Sequence, residues 1–213
     1  MPDLQLIGAP QSNFVWTCRI ACGEKSVPYD LVPVFPHTPE VDAVHPFGKI
    51  PAMRHGDVTL CESRAILYYI DHAFPGAPLM PRDPVGGAQV EQWISLHNTA
   101  IDPLFLRQYG GPGYFFPGTP DGSPNRAAID AALPKMPAHF AVLDKALAGT
   151  GYLVGNSTTL ADFNMLPLIY YMSKLPESSE MLNGSANLKA WYERMMQRKT
   201  VADTVPPPMP SRS

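Results

Sequence analysis

Between Pro75 and Pro84 the chain places four prolines and a glycine in ten residues, and the character of the sequence changes across that stretch. Proline lacks the N–H that helix interiors and sheet ladders use, so neither kind of element is expected to run through it. Before it, short apolar runs alternate with helical patterns. After it, strand patterns nearly vanish. A chain punctuated in this way is expected to fold as two parts, one mixed α/β and one all-helical. Its 213 residues suffice for both, and 25 of them are proline, more than twice the ~5% of ordinary chains.

In the first part, Leu4 to Ile7 reads as a strand. Asn13 to Lys25 has helical spacing through Phe14, Cys18, Ala21 and Cys22. Pro28 to Phe35 reads as a second strand. Thr38 to Val44 reads as a short helix, with Thr38 as its cap and Pro39 at its first position. Pro51 to Met53 and Val58 to Leu60 are two further strands around a tight His55-Gly56-Asp57 turn, and Glu62 to Phe74 is a helix. The order βαβ, short helix, ββα predicts a small sheet with a parallel half and an antiparallel half. In the second part, Gly87 to Tyr109 is a long helical pattern bent at Asp102-Pro103. Gly110 to Pro124 reads as a loop, and Asn125 to Ala148 is helical but broken near Pro134 and Pro137. Thr159 to Met172 is an apolar helix, and Ala186 to Arg198 is the last one, before a disordered or extended tail from Pro206.

With 16 Lys and Arg against 19 Asp and Glu, the chain has no electrostatic footprint for nucleic acid. No apolar stretch approaches the length of a membrane span. The N-terminal sequence has no basic start followed by an apolar run, so a cytoplasmic location is expected. Three cysteines, Cys18, Cys22 and Cys61, make no disulfide framework. Cys18 and Cys22 lack two further ligands at zinc spacing, so no metal is expected and they read as small apolar residues on a helix face.

Three places carry chemistry, and each has two readings. Ile50-Pro51 is either an ordinary trans loop proline or a cis bond that turns the Ile50 backbone outward to pair with an extended peptide. Glu62-Ser63 either caps a helix or forms a site for an α-amino acid end. In the second case the helix start and the Ser63 hydroxyl would hold the carboxylate, and Glu62 the ammonium. Ser12 is either the cap of the first helix or a hydroxyl aimed at an anionic sulfur or oxygen.

Taken together over nearly the whole chain, these segments resemble the cytosolic glutathione transferase superfamily, in a serine-type, bacterial-like form. Ser12 through Ala21 is similar to the family's first-helix segment. Pro39-Glu40 with His45-Pro46-Phe47-Gly48-Lys49-Ile50-Pro51-Ala52 resembles its P-E…N-P-x-G-x-V-P-A segment. Asp57 through Ile66 resembles its D-G-x-x-L-x-E-S-x-A-I segment, and Thr159-Leu160-Ala161-Asp162 its helical capping box. The chain departs from the pattern at Asn13, at Trp16 and Thr17, and at His45, which stands where the family commonly has Asn.

The resemblance implies an N-terminal thioredoxin-like, glutathione-binding domain over 1–80, a linker over 81–86, an all-helical domain with the electrophile site over 87–205 and a disordered tail over 206–213. It implies a cis Pro51, with Ile50 pairing the cysteinyl backbone of glutathione and Glu62 and Ser63 holding its γ-glutamyl end. Lys49 and His37 stand where some classes reach the glycyl carboxylate. Ser12 is then the catalytic hydroxyl that stabilises the glutathione thiolate, with the Asn13 amide as its competitor. The co-substrate is glutathione, the second substrate a small hydrophobic electrophile, and the assembly a homodimer. Apolar candidates for the electrophile site are Leu104, Tyr109, Tyr114, Phe115 and Phe116. Three other functions share the pattern: a glutathione-dependent isomerase of the maleylacetoacetate type, a glutathione lyase or disulfide reductase, which would usually have a cysteine where Ser12 stands, and a non-catalytic binding protein.

Overall fold

The computed structural model describes residues 3–208. They fall into two compact units, one reaching Arg82 and including the stretch from Gln197 onward, the other Asp83–Met196.

The first unit is built on four strands, β1 (Leu4–Ile7), β2 (Asp30–Val32), β3 (Ala52–His55) and β4 (Val58–Cys61), in the order β2-β1-β3-β4. β1 is parallel to β2 and antiparallel to β3, which is antiparallel to β4. This is a thioredoxin-like arrangement. Opposed residues of an antiparallel pair share a face. Leu6 therefore lies beside Met53, and Ile7 beside Ala52 on the other face, all four buried. Helices α1 (Asn13–Glu24) and α3 (Ser63–Ala73) pack on each other and on the sheet. The short α2 (Pro39–Asp42) supplies Val41 to a cluster with Ile7 and Ala52. β2 is shorter than the expected Pro28 to Phe35, because Pro28 and Pro33 on either side cannot donate to the ladder. Lys25 is buried, and its Nζ donates to the Asp71 carbonyl, to Asp71 Oδ1 and to the Ala77 carbonyl at 3.1, 3.3 and 3.3 Å. That cation ties the ends of α1 and α3 to the proline-rich stretch.

The second unit holds α4 (Pro84–Leu96), α5 (Arg126–Ala132), α6 (Met136–Leu147), α7 (Leu160–Met172), α8 (Pro176–Gly184) and α9 (Ala186–Met196). α4 begins three residues before the expected Gly87, because Asp83 caps it (Gly86 N to Oδ1 2.8 Å) and Pro84 occupies its first position. His97–Ile101 and Pro103–Phe115 wind as π-helix, so the expected loop over Gly110 to Pro124 is helical for its first six residues. Glycines permit this: a Cβ on Gly111 would stand 2.6 Å from the Leu106 carbonyl, and one on Gly113 2.8 Å from Ile129 Cγ1 of α5. The expected break near Pro134 is a single 3₁₀ turn, Leu133–Lys135, between α5 and α6.

At the C-terminal end the structure differs from the expected boundaries. The helical part was expected to run to 205, but α10 (Lys199–Ala202) groups with the first unit. Arg198 grips Glu24 of α1 through Nε (3.0 Å) and Nη2 (2.6 Å), Thr200 also donates to Glu24, and Trp16 Nε1 donates to Thr204 Oγ1 at 3.0 Å. The expected tail begins against the same unit, with Pro206 buried and the Pro208 carbonyl accepting from Gln11 Nε2 at 3.3 Å. The rest of that tail, 209–213, lies outside the described residues.

Asp162, fully buried in the first turn of α7, organises the helical unit. It closes the capping box with Thr159, and its Oδ1 accepts from Trp191 Nε1 (2.9 Å) and Leu153 N (3.2 Å). Asp162→Ala removes the cap and leaves buried donors without an acceptor. It should cost about 3–5 kcal/mol, read as a lower urea midpoint at unchanged slope.

Candidate active site

Register alone gathers one set of residues. Ala52 pairs with Ile7 on one side and Cys61 on the other. Gly8, Pro51 and Glu62, each one step beyond a paired residue, therefore share one edge of the sheet. Gly8 closes the gap. At φ +148, a Cβ there would meet Val15 Cγ2 at 2.6 Å and Ile50 Cβ at 2.9 Å. Any side chain at position 8 would push the start of α1 away from Ile50. The sequence reading missed this residue, although a glycine directly after a strand is a signal of close backbone approach.

Ser12 caps α1. Its Oγ accepts from Val15 N at a long 3.4 Å, and its hydroxyl hydrogen has no acceptor among the described residues. Asn13 is 3% exposed, while Ser12 is half-buried. The Ile50–Pro51 bond is cis, as the resemblance implies. The N–H and C=O of Ile50 pair with no other main-chain group among the described residues.

Glu62 precedes α3 at φ +69. A non-glycine residue held there costs of order 1–3 kcal/mol, and such outliers cluster at ligand sites. Its side chain is exposed, with Oε1 3.4 Å from His45 Nε2. Ser63 opens α3, is 7% exposed, and its hydroxyl has no protein partner among the described residues. The first amides of α3 lie at the positive end of the helix, where intrahelical acceptors are lacking. Lys49 is exposed. His37, at φ +62, donates its N–H to the Gly48 carbonyl at 2.8 Å, and its ring covers Gly48 beside Asp42. The structure thus brings Ser12, Ile50, Pro51, Glu62 and Ser63 to one edge, with His37 and Lys49 adjoining along the 37–49 segment. Two serine hydroxyls, a helix start, one exposed carboxylate and the unpaired main chain of Ile50 suit a small zwitterionic peptide.

The apolar candidates belong to the second unit, where local packing occupies most of them. Leu104 and Tyr109 are buried. Glu177 Oε2 accepts from Tyr109 Oη at 2.9 Å and from Tyr114, and its Oε1 accepts from Arg126 Nη1 at 2.6 Å. Phe115 packs edge-on against Tyr171. Phe116 is 55% exposed.

Residues 6–78 match the family model for the glutathione S-transferase N-terminal domain, and residues 99–199 that for the C-terminal domain. The chain belongs to the glutathione S-transferase family. It is 32% identical to glutathione S-transferase F13 of Arabidopsis thaliana, covering 92% of this chain and 91% of that one. It is 32% identical to glutathione S-transferase 3 of Zea mays, covering both chains fully. Among solved structures it resembles glutathione transferase F7 from Populus trichocarpa (TM-score 0.82, 30% identity, 94% of this chain and 97% of that one). It also resembles a theta-class glutathione S-transferase from Xanthomonas axonopodis pv. citri with glutathione bound (TM-score 0.85, 26% identity, 99% and 100%).

In this family member the Glu177 clamp has a pH signature. Burial raises the carboxyl, but the bonds from Tyr114, Arg126 and Tyr109 outweigh it and bring the pKa from 4.5 to about 2. A carboxylate lowered on folding adds stability that is present above its unfolded value and is lost as pH falls through the folded one. Acid titration of the protein from pH 5 to 2 should therefore show a loss of stability that Glu177→Gln lacks.

Proposed function

We propose that Ser12 stabilises the thiolate of bound glutathione in this chain, a glutathione transferase, and that Ile50, Pro51, Glu62 and Ser63 hold the peptide. One observation carries the reading: two helix starts, α1 at Ser12 and α3 at Ser63, and the unpaired main chain of Ile50 meet at one sheet edge with unspent hydrogen-bonding capacity. The thiol is a poor nucleophile at neutral pH because little of it is ionised. A hydroxyl hydrogen bond and the positive end of α1 favour the anion over the thiol. The thiol proton leaves to water, and the sulfur lone pair forms a bond to an electrophilic carbon. With an aromatic halide, the carbon–halogen pair leaves as halide.

The γ-glutamyl carboxylate is assigned to the start of α3 with Ser63 and its ammonium to Glu62, while Lys49 and His37 serve the glycyl carboxylate. The electrophile is small and hydrophobic, and Phe116 is the best exposed of the apolar candidates. The serine-type reading rests on Ser12. The bacterial-like reading is supported by the Xanthomonas neighbour, while the curated relatives named above are plant proteins. No helix among the described residues is long and apolar enough to cross a membrane, which fits a cytoplasmic enzyme. The isomerase and the non-catalytic reading are not favoured, since the named relatives are transferases and a binding protein has no need of the Ser12 hydroxyl.

Ser12 and Ser63 should separate rate from affinity. Ser12→Ala should leave glutathione affinity nearly intact, lower turnover of an aromatic halide by ~10- to 1000-fold, and raise the pH at which bound glutathione ionises, read by ultraviolet titration. Ser63→Ala should instead weaken binding by about 1.5–3 kcal/mol in calorimetry. The reverse pattern would exchange the two roles. As a homodimer, the protein should sediment at about twice its chain mass at micromolar concentration.

A further inference from the structure

We infer that His45 is a positioning residue for the Glu62 carboxylate, holding one oxygen so that the other is presented to the ammonium of glutathione. The inference rests on the proposed role of Glu62. His45 is 3% exposed, whereas the Glu62 side chain is 70% exposed. An exposed glutamate samples many rotamers, and freezing it at the moment of binding costs conformational entropy. A buried donor that fixes it beforehand removes that cost.

The ring is held for this task. Phe47 N donates to His45 Nδ1 at 3.1 Å. A neutral imidazole that accepts at Nδ1 carries its hydrogen on Nε2, and Nε2 lies 3.4 Å from Glu62 Oε1. The backbone around the ring is also fixed. His45 N donates to the Val41 carbonyl at 2.8 Å, and the His45 carbonyl accepts from Gly48 N at 3.0 Å. The Phe47 ring packs edge-on at 6.3 Å. Glu62, for its part, has a backbone held at φ +69 with its carbonyl taken by Ile66 N at 3.1 Å. Two rigid backbones thus face each other through one side-chain contact. Its carboxylate keeps Oε2 for a ligand, since no other contact to the Glu62 side chain is present among the described residues.

The competing role, a plain acceptor that closes the 45–48 turn, uses the other ring nitrogen, so substitution separates the two. Asparagine places an acceptor near Nδ1 but is too short to reach Glu62. Glutamine places an amide N–H near Nε2 and drops the acceptor. His45→Asn should raise KM for glutathione about 5- to 10-fold, the upper part of the range for a typical hydrogen bond, and change kcat by less than about twofold. His45→Gln should keep KM within about twofold of the native value. In a Glu62→Ala background, where nothing remains to be oriented, His45→Asn should add nothing further. An unchanged KM in His45→Asn, or an equal rise in the Glu62→Ala background, overturns the inference. If His45→Asn is too unstable to assay, His45→Gln decides it: a KM raised as far as Glu62→Ala raises it is the overturning result. Glu62→Ala alone reports on the prior reading: if it leaves KM unchanged, Glu62 holds no ammonium and both fall together.

Discussion

β3 is the strand on which the first unit's site depends, because it is antiparallel to both neighbours and its first residue pairs with each at once. Side chains alternate along a strand with period two, so a slip of one residue would exchange Ala52 and Met53 between faces. Both are fully buried, Ala52 against Val41 and Ile7. Either exchange would put a thioether where a methyl fits and leave a void opposite. Core packing therefore specifies the register, and the register in turn sets Gly8, Pro51 and Glu62 at one edge. The start of α1 reaches the same edge only because Gly8 has no side chain.

The helices with little apolar surface are held by polar anchors instead. α8 buries only Ser178 and Leu182. One leucine contributes about 3 kcal/mol at best, too little to fix nine residues against their conformational entropy. The Glu177 carboxylate gathers Tyr109, Tyr114 and Arg126 onto the start of that helix, and Ser178 Oγ donates to the Met172 carbonyl at 2.7 Å. α10, four residues long, depends likewise on the bidentate grip of Arg198 on Glu24. The same logic explains why these elements lack a hydrophobic stripe in the sequence.

That is also where the sequence was hardest to read. β1, α1, α3 and α9 carry their apolar pattern locally, α7 is apolar on every side, and the proline-rich stretch announces the change of character. α8 and α10 have no such stripe, and their partners lie far away: Thr200 of α10 and Glu24 are 176 positions apart. The π-wound stretch is written in Gly110, Gly111, Pro112 and Gly113, residues that ordinarily mark loops, and only the approach of α5 makes a helix of them. At the site, Ser12, Pro51, Glu62 and Ser63 stand in motifs with their own local chemistry. His45 was visible only as a departure from a family pattern, since its contact with Glu62 crosses from the turn after α2 to the end of β4.

Under the proposed role of Ser12, α1 would treat sulfur in two opposite ways along its length. Cys18 and Cys22 lie in the second and third turns, both fully buried. Burial raises both thiols, Cys22 to about 12. A rise of that size corresponds to about 4 kcal/mol against the thiolate, more than the ~0.3–2 kcal/mol a helix terminus contributes. The dipole of α1 therefore cannot ionise its own cysteines, and they remain neutral packing groups. In the proposed site, a sulfur brought to the first turn would escape that burial cost and meet the Ser12 hydroxyl at the positive end of the helix instead. On that reading the chemistry is decided by where along one helix the sulfur stands: burial in the later turns suppresses the thiolate, and the start of the helix favours it.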